Sequence, residues 1–174
     1  MFRGMDSKRK SILMRIIIAA VALIIAAVII FIASGFAKYV FDFDGYVRSL
    51  VPKNYALEDV TLENGEKKSE SGFSVFLSEV KIENGKTVVK FTLNGTESFS
   101  SGKVVRTDAI RKKADAYAAE IYLSDGENTY LLSQESSSVY RASATYVYSL
   151  DKEISLQSAK VIFKKLIVTG YAKK

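Results

Sequence analysis

An unbroken apolar run over residues 16–37 dominates the N-terminal part of the chain, and it contains no charged residue. Thirteen of its 22 residues are Ile, Val, Leu or Phe, and seven are Ala. At about 1.5 Å per residue, a helix of this length reaches roughly 33 Å, enough to cross a hydrocarbon core of about 30 Å. No polar face interrupts the run, which disfavours a soluble amphipathic helix. The pattern predicts one transmembrane helix over residues 16–37.

An aromatic segment, residues 38–52, follows this run, and its apolar positions take helical spacing. Val40, Phe43, Val47 and Leu50 recur at intervals of three or four residues before the single proline, Pro52. Aromatic side chains collect at the boundary between lipid and water, and basic side chains flank it. We therefore predict an interfacial amphipathic segment, with membrane-interface residues Arg15, Lys38, Tyr39, Phe41, Phe43 and Tyr46. A docking segment for another membrane protein is the alternative.

Beyond residue 52 the period of the apolar pattern shifts towards two, the spacing of β-strands. Residues 73–78 and 87–93 alternate in this way on either side of Asn84 and Gly85. Asn-Gly between two such runs is typical of a type I′ hairpin, because both residues tolerate positive φ. A second hairpin is predicted at residues 125–128, between strands over residues 117–123 and 129–132.

Three further strands are predicted over residues 57–62, 139–150 and 159–168. Residues 107–119 also match helical spacing, so a short helix feeding a strand is predicted there, and the serine-rich residues 98–101 and 133–138 are predicted to be loops. The predicted fold class is mostly β, with one N-terminal transmembrane helix plus an antiparallel, immunoglobulin-like β-sandwich of about seven strands in residues 53–174.

The formal net charge of +6 is unevenly distributed. The first fifteen residues hold five basic side chains and one acidic one, whereas residues 38–174 hold 20 basic and 18 acidic side chains. Because cytoplasmic flanks of membrane spans carry the basic excess, residues 1–15 are predicted to form a basic cytoplasmic tail. The chain is then a single-pass protein of the cell membrane, with residues 53–174 in the extracytoplasmic space. The lipid bilayer is one partner, and the near-neutral domain argues against nucleic acid as another.

A cleaved signal peptide would share the basic N-terminus, and residues 35–37, Gly-Phe-Ala, match a small-x-small cleavage site. The apolar run exceeds the usual signal-peptide core of about 7 to 15 residues, which favours an uncleaved anchor. A secreted β-domain released by cleavage is retained as the alternative.

The composition removes most catalytic and metal chemistry. The chain has no histidine and no cysteine, which excludes the commonest general base, thiolate nucleophiles and the thiolate or imidazole ligands of zinc sites. No Gly-rich phosphate loop and no twelve-residue calcium loop is present. We predict that the protein is not an enzyme and has no catalytic residue, metal or cofactor.

Two groups of side chains are candidates for contact with a partner or glycan. One is the aromatic set Tyr140, Tyr146 and Tyr148, which share a predicted strand face and for which core packing is the alternative. The other is the basic run Arg111, Lys112 and Lys113, for which a solvated face is the alternative. An envelope polymer or a membrane-protein partner would suit these groups, and the oligomeric state is left open.

The order of elements resembles that of a known group of proteins. A basic tail, an apolar span and an aromatic segment precede Gly-Phe-Ser-Val-Phe-Leu-Ser-Glu-Val at residues 72–80 and Asn-Gly-Lys-Thr-Val-Val-Lys-Phe-Thr-Leu at residues 84–93. Over residues 16–95 this order is similar to that of Gram-positive envelope proteins with an immunoglobulin-like outer domain, including membrane-bound anti-sigma-factor-like proteins. In that family the sigma-binding part is a cytoplasmic domain before the span. Only fifteen residues precede the span here, so the resemblance does not imply that activity.

The sequence thus predicts a membrane-anchored extracytoplasmic module of the cell envelope that binds, senses or assembles without catalysis. Two alternatives are open. One is a transmembrane signalling regulator of anti-sigma-like type that acts through the short cytoplasmic tail, and the other is the secreted β-domain.

Overall fold

A computed structural model describes residues 7–50, 56–70, 72–108 and 118–173. The chain divides into two compact units, a helical unit of residues 1–46 and a β unit of residues 47–174. The helices of the described residues are α1 (Ser7–Ala33), α2 (Phe36–Phe41) and α3 (Phe43–Leu50). The strands are β1 (Ala56–Glu63), β2 (Lys67–Glu70), β3 (Phe73–Glu83), β4 (Lys86–Glu97), β5 (Ser101–Arg106), β6 (Glu120–Ser124), β7 (Thr129–Leu131), β8 (Ser133–Tyr140), β9 (Ser143–Leu150) and β10 (Lys160–Ala172).

Helix α1 contains one segment, Arg9–Ala33, that is long and apolar enough to span a membrane, and none of its most apolar stretch is buried. The helix begins at Ser7, before the predicted start at residue 16. It ends at Ala33, four residues before the predicted end at residue 37. Gly35 adopts a left-handed conformation with φ of 76°, and the Ser34 hydroxyl donates a hydrogen bond to the Phe31 carbonyl. Glycine in this conformation commonly terminates a helix. The prediction of one helix continuing to Ala37 was therefore wrong at its C-terminal end.

The β unit is antiparallel throughout its described strands, which confirms the predicted fold class of a mostly β protein with one apolar N-terminal helix. One layer has the strand order β2-β3-β4-β9-β8. In the other layer β10 pairs with β1 on one side, and on its other side with β5 and β6, beyond which lies β7. The described residues form ten strands, whereas the sequence predicted about seven.

Strand β4 connects the two layers. Its residues 87–94 pair with β9, whereas Thr96 and Glu97 pair with β5. Gly95 lies at this corner, and a Cβ atom there would come within 2.0 Å of the Lys103 carbonyl oxygen. Glycine is therefore required at the point where the strand changes layers.

Strands β5 and β6 lie end to end along the same side of β10. Residues 101–106 pair with residues 172–167, and residues 120–124 pair with residues 164–160. The N–H of Ala119, just before β6, donates a 2.7 Å hydrogen bond to the carbonyl of Thr107, just after β5. Residues 109–117 lie outside the described residues, so the short helix predicted over residues 107–119 stays a prediction.

Both predicted hairpins are confirmed. Asn84 and Gly85 connect β3 to β4 with φ values of 51° and 78°, as a type I′ turn requires. Between β6 and β7, the Asp125 carboxylate accepts hydrogen bonds from the backbone N–H groups of Glu127 and Asn128. This pattern is an Asx turn, in which an aspartate side chain fixes the loop.

Two predictions about the serine-rich region were wrong. Residues 139–150 were expected to form one strand, but Arg141, with φ of 55°, turns the chain between β8 and β9. Residues 133–138 were expected to form a loop, but they belong to β8. All eight residues of β8 are exposed, so no alternation of apolar and polar residues identifies the strand.

The core lies between the two layers and is centred on four aromatic rings. Phe91 of β4 contacts Tyr146 and Tyr148 of β9 at ring-centroid distances of 5.4 and 5.5 Å, and Phe163 of β10 at 4.8 Å. All four side chains are buried. Burying an aromatic side chain stabilises a fold by roughly 1.5 to 3 kcal/mol, so these rings contribute much of the packing between the layers.

Candidate functional site

The four aromatic members of the predicted membrane-interface set form a cluster at the C-terminal end of α1, together with two phenylalanines that were not predicted, Phe31 and Phe36. The Tyr39 ring lies 5.9 Å from the rings of Phe36 and Phe43 and 5.4 Å from that of Tyr46. Phe31, in the last turns of α1, contacts Phe36 and Phe41 at 5.4 and 6.4 Å. Four of these five pairs are edge-to-face, a geometry that adds about 0.5 to 1.5 kcal/mol per pair beyond area burial. The cluster therefore holds α2 against the end of α1.

Helix α2 presents apolar side chains to its surroundings. It has no buried residue, and Phe41 is 80% exposed. Phe36 and Val40 are also exposed, as are Lys38 of α2 and Arg15 of α1. In α3, by contrast, Phe43 and Tyr46 are buried. Among the aromatic side chains of the six predicted interface residues, that of Phe41 is the most exposed.

The predicted contact tyrosines differ sharply in exposure. Tyr146 and Tyr148 are 2% and 6% exposed and belong to the core, which is the alternative stated for them, so a partner cannot reach them in the folded domain. Tyr140 is 77% exposed at the end of β8, and its contact role stays a prediction. The basic run of residues 111–113 lies outside the described residues.

The two buried tyrosine hydroxyls have different environments. Tyr148 Oη donates a 3.0 Å hydrogen bond to Gln134 Oε1. Tyr146 Oη is the one buried side-chain nitrogen or oxygen in the described part of the chain that makes no hydrogen bond. Burial raises the pKa of both hydroxyls, and nearby Thr107 offsets part of each rise. Thr107 does not reach hydrogen-bonding geometry with Tyr146.

A polar site forms where neighbouring strands are both irregular. The pairing of β1 with β10 shifts register between Glu58 and Val60, opposite Lys164 and Lys165. Lys165 has φ of 59°, in the middle of a strand rather than in a turn. The left-handed conformation costs a non-glycine residue roughly 1 to 2 kcal/mol. Such strain persists where the surroundings impose it, and it concentrates at functional sites.

Asp59 holds this irregular backbone in place. Its carboxylate accepts hydrogen bonds from Lys164 Nζ at 2.8 Å and from the Lys165 backbone N–H at 2.9 Å. These two bonds hold the pKa of the Asp59 carboxyl below its usual range. The irregularity also changes which residues face the core, since Phe163 is buried before it and Leu166 after it. It therefore has a structural role in addition to any binding role.

A second acidic side chain completes the site from β6. Glu120 accepts hydrogen bonds from Tyr122 Oη at 2.8 Å and from Lys165 Nζ at 3.2 Å. These contacts lower the pKa of the Glu120 carboxyl and raise that of the Tyr122 hydroxyl.

Together these side chains surround an open depression of about 340 Å³ on the sheet surface, which we call the β10 depression. Its lining residues are Asp59, Glu120, Tyr122, Thr129, Ile162, Lys164 and Lys165. The β10 depression offers ammonium donors, carboxylate acceptors and apolar surface within one small area. Sequence reasoning missed it because its residues come from four separate strands. The adjacent lysines 164 and 165, which break the alternation of β10, are the one local signal.

Comparisons of the chain with models of protein families, with curated proteins and with solved structures found no match. The fold, the exposed apolar helix and the β10 depression are therefore the grounds for proposing a function.

Proposed function

We propose that the chain is a single-pass, membrane-anchored module of the cell envelope, with an immunoglobulin-like domain outside the membrane that binds envelope material without catalysis. The observation that carries this proposal is the exposure of the apolar part of α1. Large side chains along its length are exposed, including Ile18 at 61%, Leu23 at 72% and Ile30 at 67%. A soluble protein would bury such a helix against its own core.

The energetics support insertion into a bilayer. Each large apolar residue near the centre of a span contributes about 0.3 to 0.6 kcal/mol. Twelve such residues between positions 16 and 33 give roughly 4 to 7 kcal/mol. The exposed aromatic and basic side chains of α2 suit the lipid headgroup region that follows a span. The basic residues before the span favour a cytoplasmic N-terminus.

Single cysteines test the anchoring, because the natural chain has none. Ser69→Cys places a thiol on exposed β2, and Ser11→Cys places one at the N-terminal end of α1. We expect both variants in the membrane fraction, with an impermeant maleimide on intact cells labelling Ser69→Cys and sparing Ser11→Cys. Reversed labelling or a soluble full-length protein would contradict the proposal. A mature chain that begins near residue 38 would establish the secreted alternative.

The β10 depression is the binding surface we propose for this module. Its volume lies in the range of about 300 to 1,000 Å³ that is usual for ligand pockets. The ion pairs at its rim have side chains about half exposed, and such pairs contribute only about 0 to 1 kcal/mol. A ligand can therefore exchange them for its own hydrogen bonds at low cost. Mixed donors and acceptors beside Tyr122 and Ile162 suit a glycan segment, which has hydroxyl groups and an apolar ring face.

Cosedimentation of the detergent-solubilised full chain with purified cell-wall sacculi tests this binding role. Replacing both Lys164 and Lys165 by Ala should lower affinity about tenfold or more, since a hydrogen bond from a charged group contributes about 1.5 to 3 kcal/mol. The matched control replaces Lys67 and Lys68 of exposed β2, with the same change in charge. Equal losses in both double variants would indicate nonspecific electrostatic binding and would reject the β10 depression as the site.

A further inference from the structure

The edge of β8 differs from every other sheet edge among the described strands. β8 pairs with β9 on one side, and no described residue pairs with its other side. All eight of its side chains are exposed, including Val139 at 47% and Tyr140 at 77%. An exposed strand edge presents unpaired N–H and C=O groups, to which another strand can bind.

Natural proteins protect such edges with charges, prolines or short strands, and the other three edges are protected in this way. β2 carries two lysines and a glutamate in four residues, β1 carries three acidic residues, and β7 is only three residues long. β8 has one charged residue, Glu135, located where its pairing with β9 shifts register. The remaining residues 136–140 form a regular, uncharged run.

We propose that the edge of β8 binds β8 of a second copy of this chain, as an antiparallel pair about a two-fold axis near Ser138. In that register Ser136 lies opposite Tyr140 and Ser137 opposite Val139, so no like charges meet. Each copy supplies the same unprotected edge, and the same pairing joins the two sheets into one.

This inference rests on the proposed membrane anchoring. A five-residue strand pair buries less than the roughly 1,200 Å² that stable interfaces require. Two copies tethered to one membrane, however, experience an effective concentration of up to the millimolar range. This concentration raises the fraction of paired chains without any additional contact between them. We therefore expect pairing in membranes and a monomer in dilute detergent solution.

Disulfide crosslinking in membranes tests the pairing and its register. Single variants Ser136→Cys, Ser138→Cys and Tyr140→Cys are oxidised, and the product at twice the mass of the chain is measured on non-reducing gels. In the proposed register, residue 138 of one copy lies opposite residue 138 of the other copy. Residues 136 of the two copies lie roughly 14 Å apart, and so do residues 140. A disulfide needs Cβ atoms about 4 Å apart. We expect Ser138→Cys to exceed its neighbours about fivefold or more, and the yield to fall to background in dilute detergent.

Ser69→Cys on β2 is the matched control, since it replaces the same residue type on the protected edge of the same layer. Its yield defines the background of random collision. Adding Ser136→Lys to the Ser138→Cys variant should remove the crosslink, whereas adding Ser69→Lys should leave it. The thermal unfolding midpoint should change little in either variant, because substitutions of exposed residues usually have small effects on stability.

Three outcomes would overturn the pairing: a flat profile along β8, a yield no higher than that of Ser69→Cys, or a product whose mass shows another protein. The maleimide labelling of Ser69→Cys separates this failure from failure of the anchoring. A labelled, membrane-bound chain without the crosslink rejects the pairing alone.

Discussion

Tyr146 and Tyr148 lie two residues apart on one face of β9. Because their hydroxyl groups have different environments, we expect replacement by Phe to have opposite effects on stability at the two positions. Tyr148 Oη is bonded to Gln134, whereas Tyr146 Oη is buried without a hydrogen bond. Tyr148→Phe removes a bond worth about 0.5 to 1.5 kcal/mol and should destabilise the domain by about that amount. Tyr146→Phe removes a buried, unsatisfied group, whose desolvation costs about 1 to 3 kcal/mol.

We therefore expect Tyr146→Phe to leave stability unchanged or to raise it by up to about 2 kcal/mol, because the ring contacts with Phe91 are kept. Urea unfolding of the full chain in detergent, followed by the far-ultraviolet circular dichroism of its β-strands, measures both variants. Thermal unfolding should shift by roughly 4 °C per kcal/mol for a domain of this size. A loss of more than about 1 kcal/mol in Tyr146→Phe would refute the assignment of an unsatisfied hydroxyl.

Three further predictions concern glycines and acid stability. Gly95→Ala should destabilise the β unit by about 1 to 3 kcal/mol or more in urea unfolding, because the added carbon meets the Lys103 carbonyl. Gly85→Ala should cost about 1 to 2 kcal/mol through its φ of 78° alone, since no atom obstructs the new carbon; an unchanged midpoint would contradict this. Because the pKa of the Asp59 carboxyl is lowered in the folded chain, the ionised carboxylate stabilises the fold at pH values above the usual carboxyl pKa. This stabilisation is lost as the pH falls through the lowered pKa. Between neutral pH and pH about 3, the Asp59→Asn variant should therefore lose less stability than the natural chain. An equal fall of the thermal unfolding midpoint in both proteins over this pH range would contradict the prediction.

The strands that bury one face could be predicted from the sequence. Alternation of apolar residues located β3 and β4, and their turn residues fixed the hairpin between them. Strand β8 could not be predicted because all its residues are exposed. A strand without a buried face need not alternate apolar and polar residues. Its serines also have a composition typical of loops. Tyr140 was therefore assigned to the following strand, although Arg141 separates the two.

The candidate site was less accessible to sequence reasoning than the fold. The β10 depression joins Asp59 to Glu120 and to Lys164, residues separated by up to 105 positions. Long-range pairing of strands brings them together, and no local pattern encodes that pairing. The apolar helix, by contrast, depends on composition alone, although both its bounds differ from the predicted ones. Helix α1 begins at Ser7, before the predicted start at residue 16, and it ends before residue 37 because Ser34 and Gly35 were counted with the run they terminate.

The end-to-end arrangement of β5 and β6 has a consequence for how this fold tolerates change. Thr107 and Ala119 are joined by a backbone hydrogen bond, so the ends of the intervening segment are held together by the sheet itself. Strands β5 and β6 also keep their own pairing with β10 on either side of these two residues. Because doubling the number of residues between two fixed ends costs only about 0.6 kcal/mol in closure entropy, we expect residues inserted between Thr107 and Ala119 to leave this pairing intact. Such a position is suited to acquiring new specificities during evolution, and to accepting a reporter peptide in the laboratory.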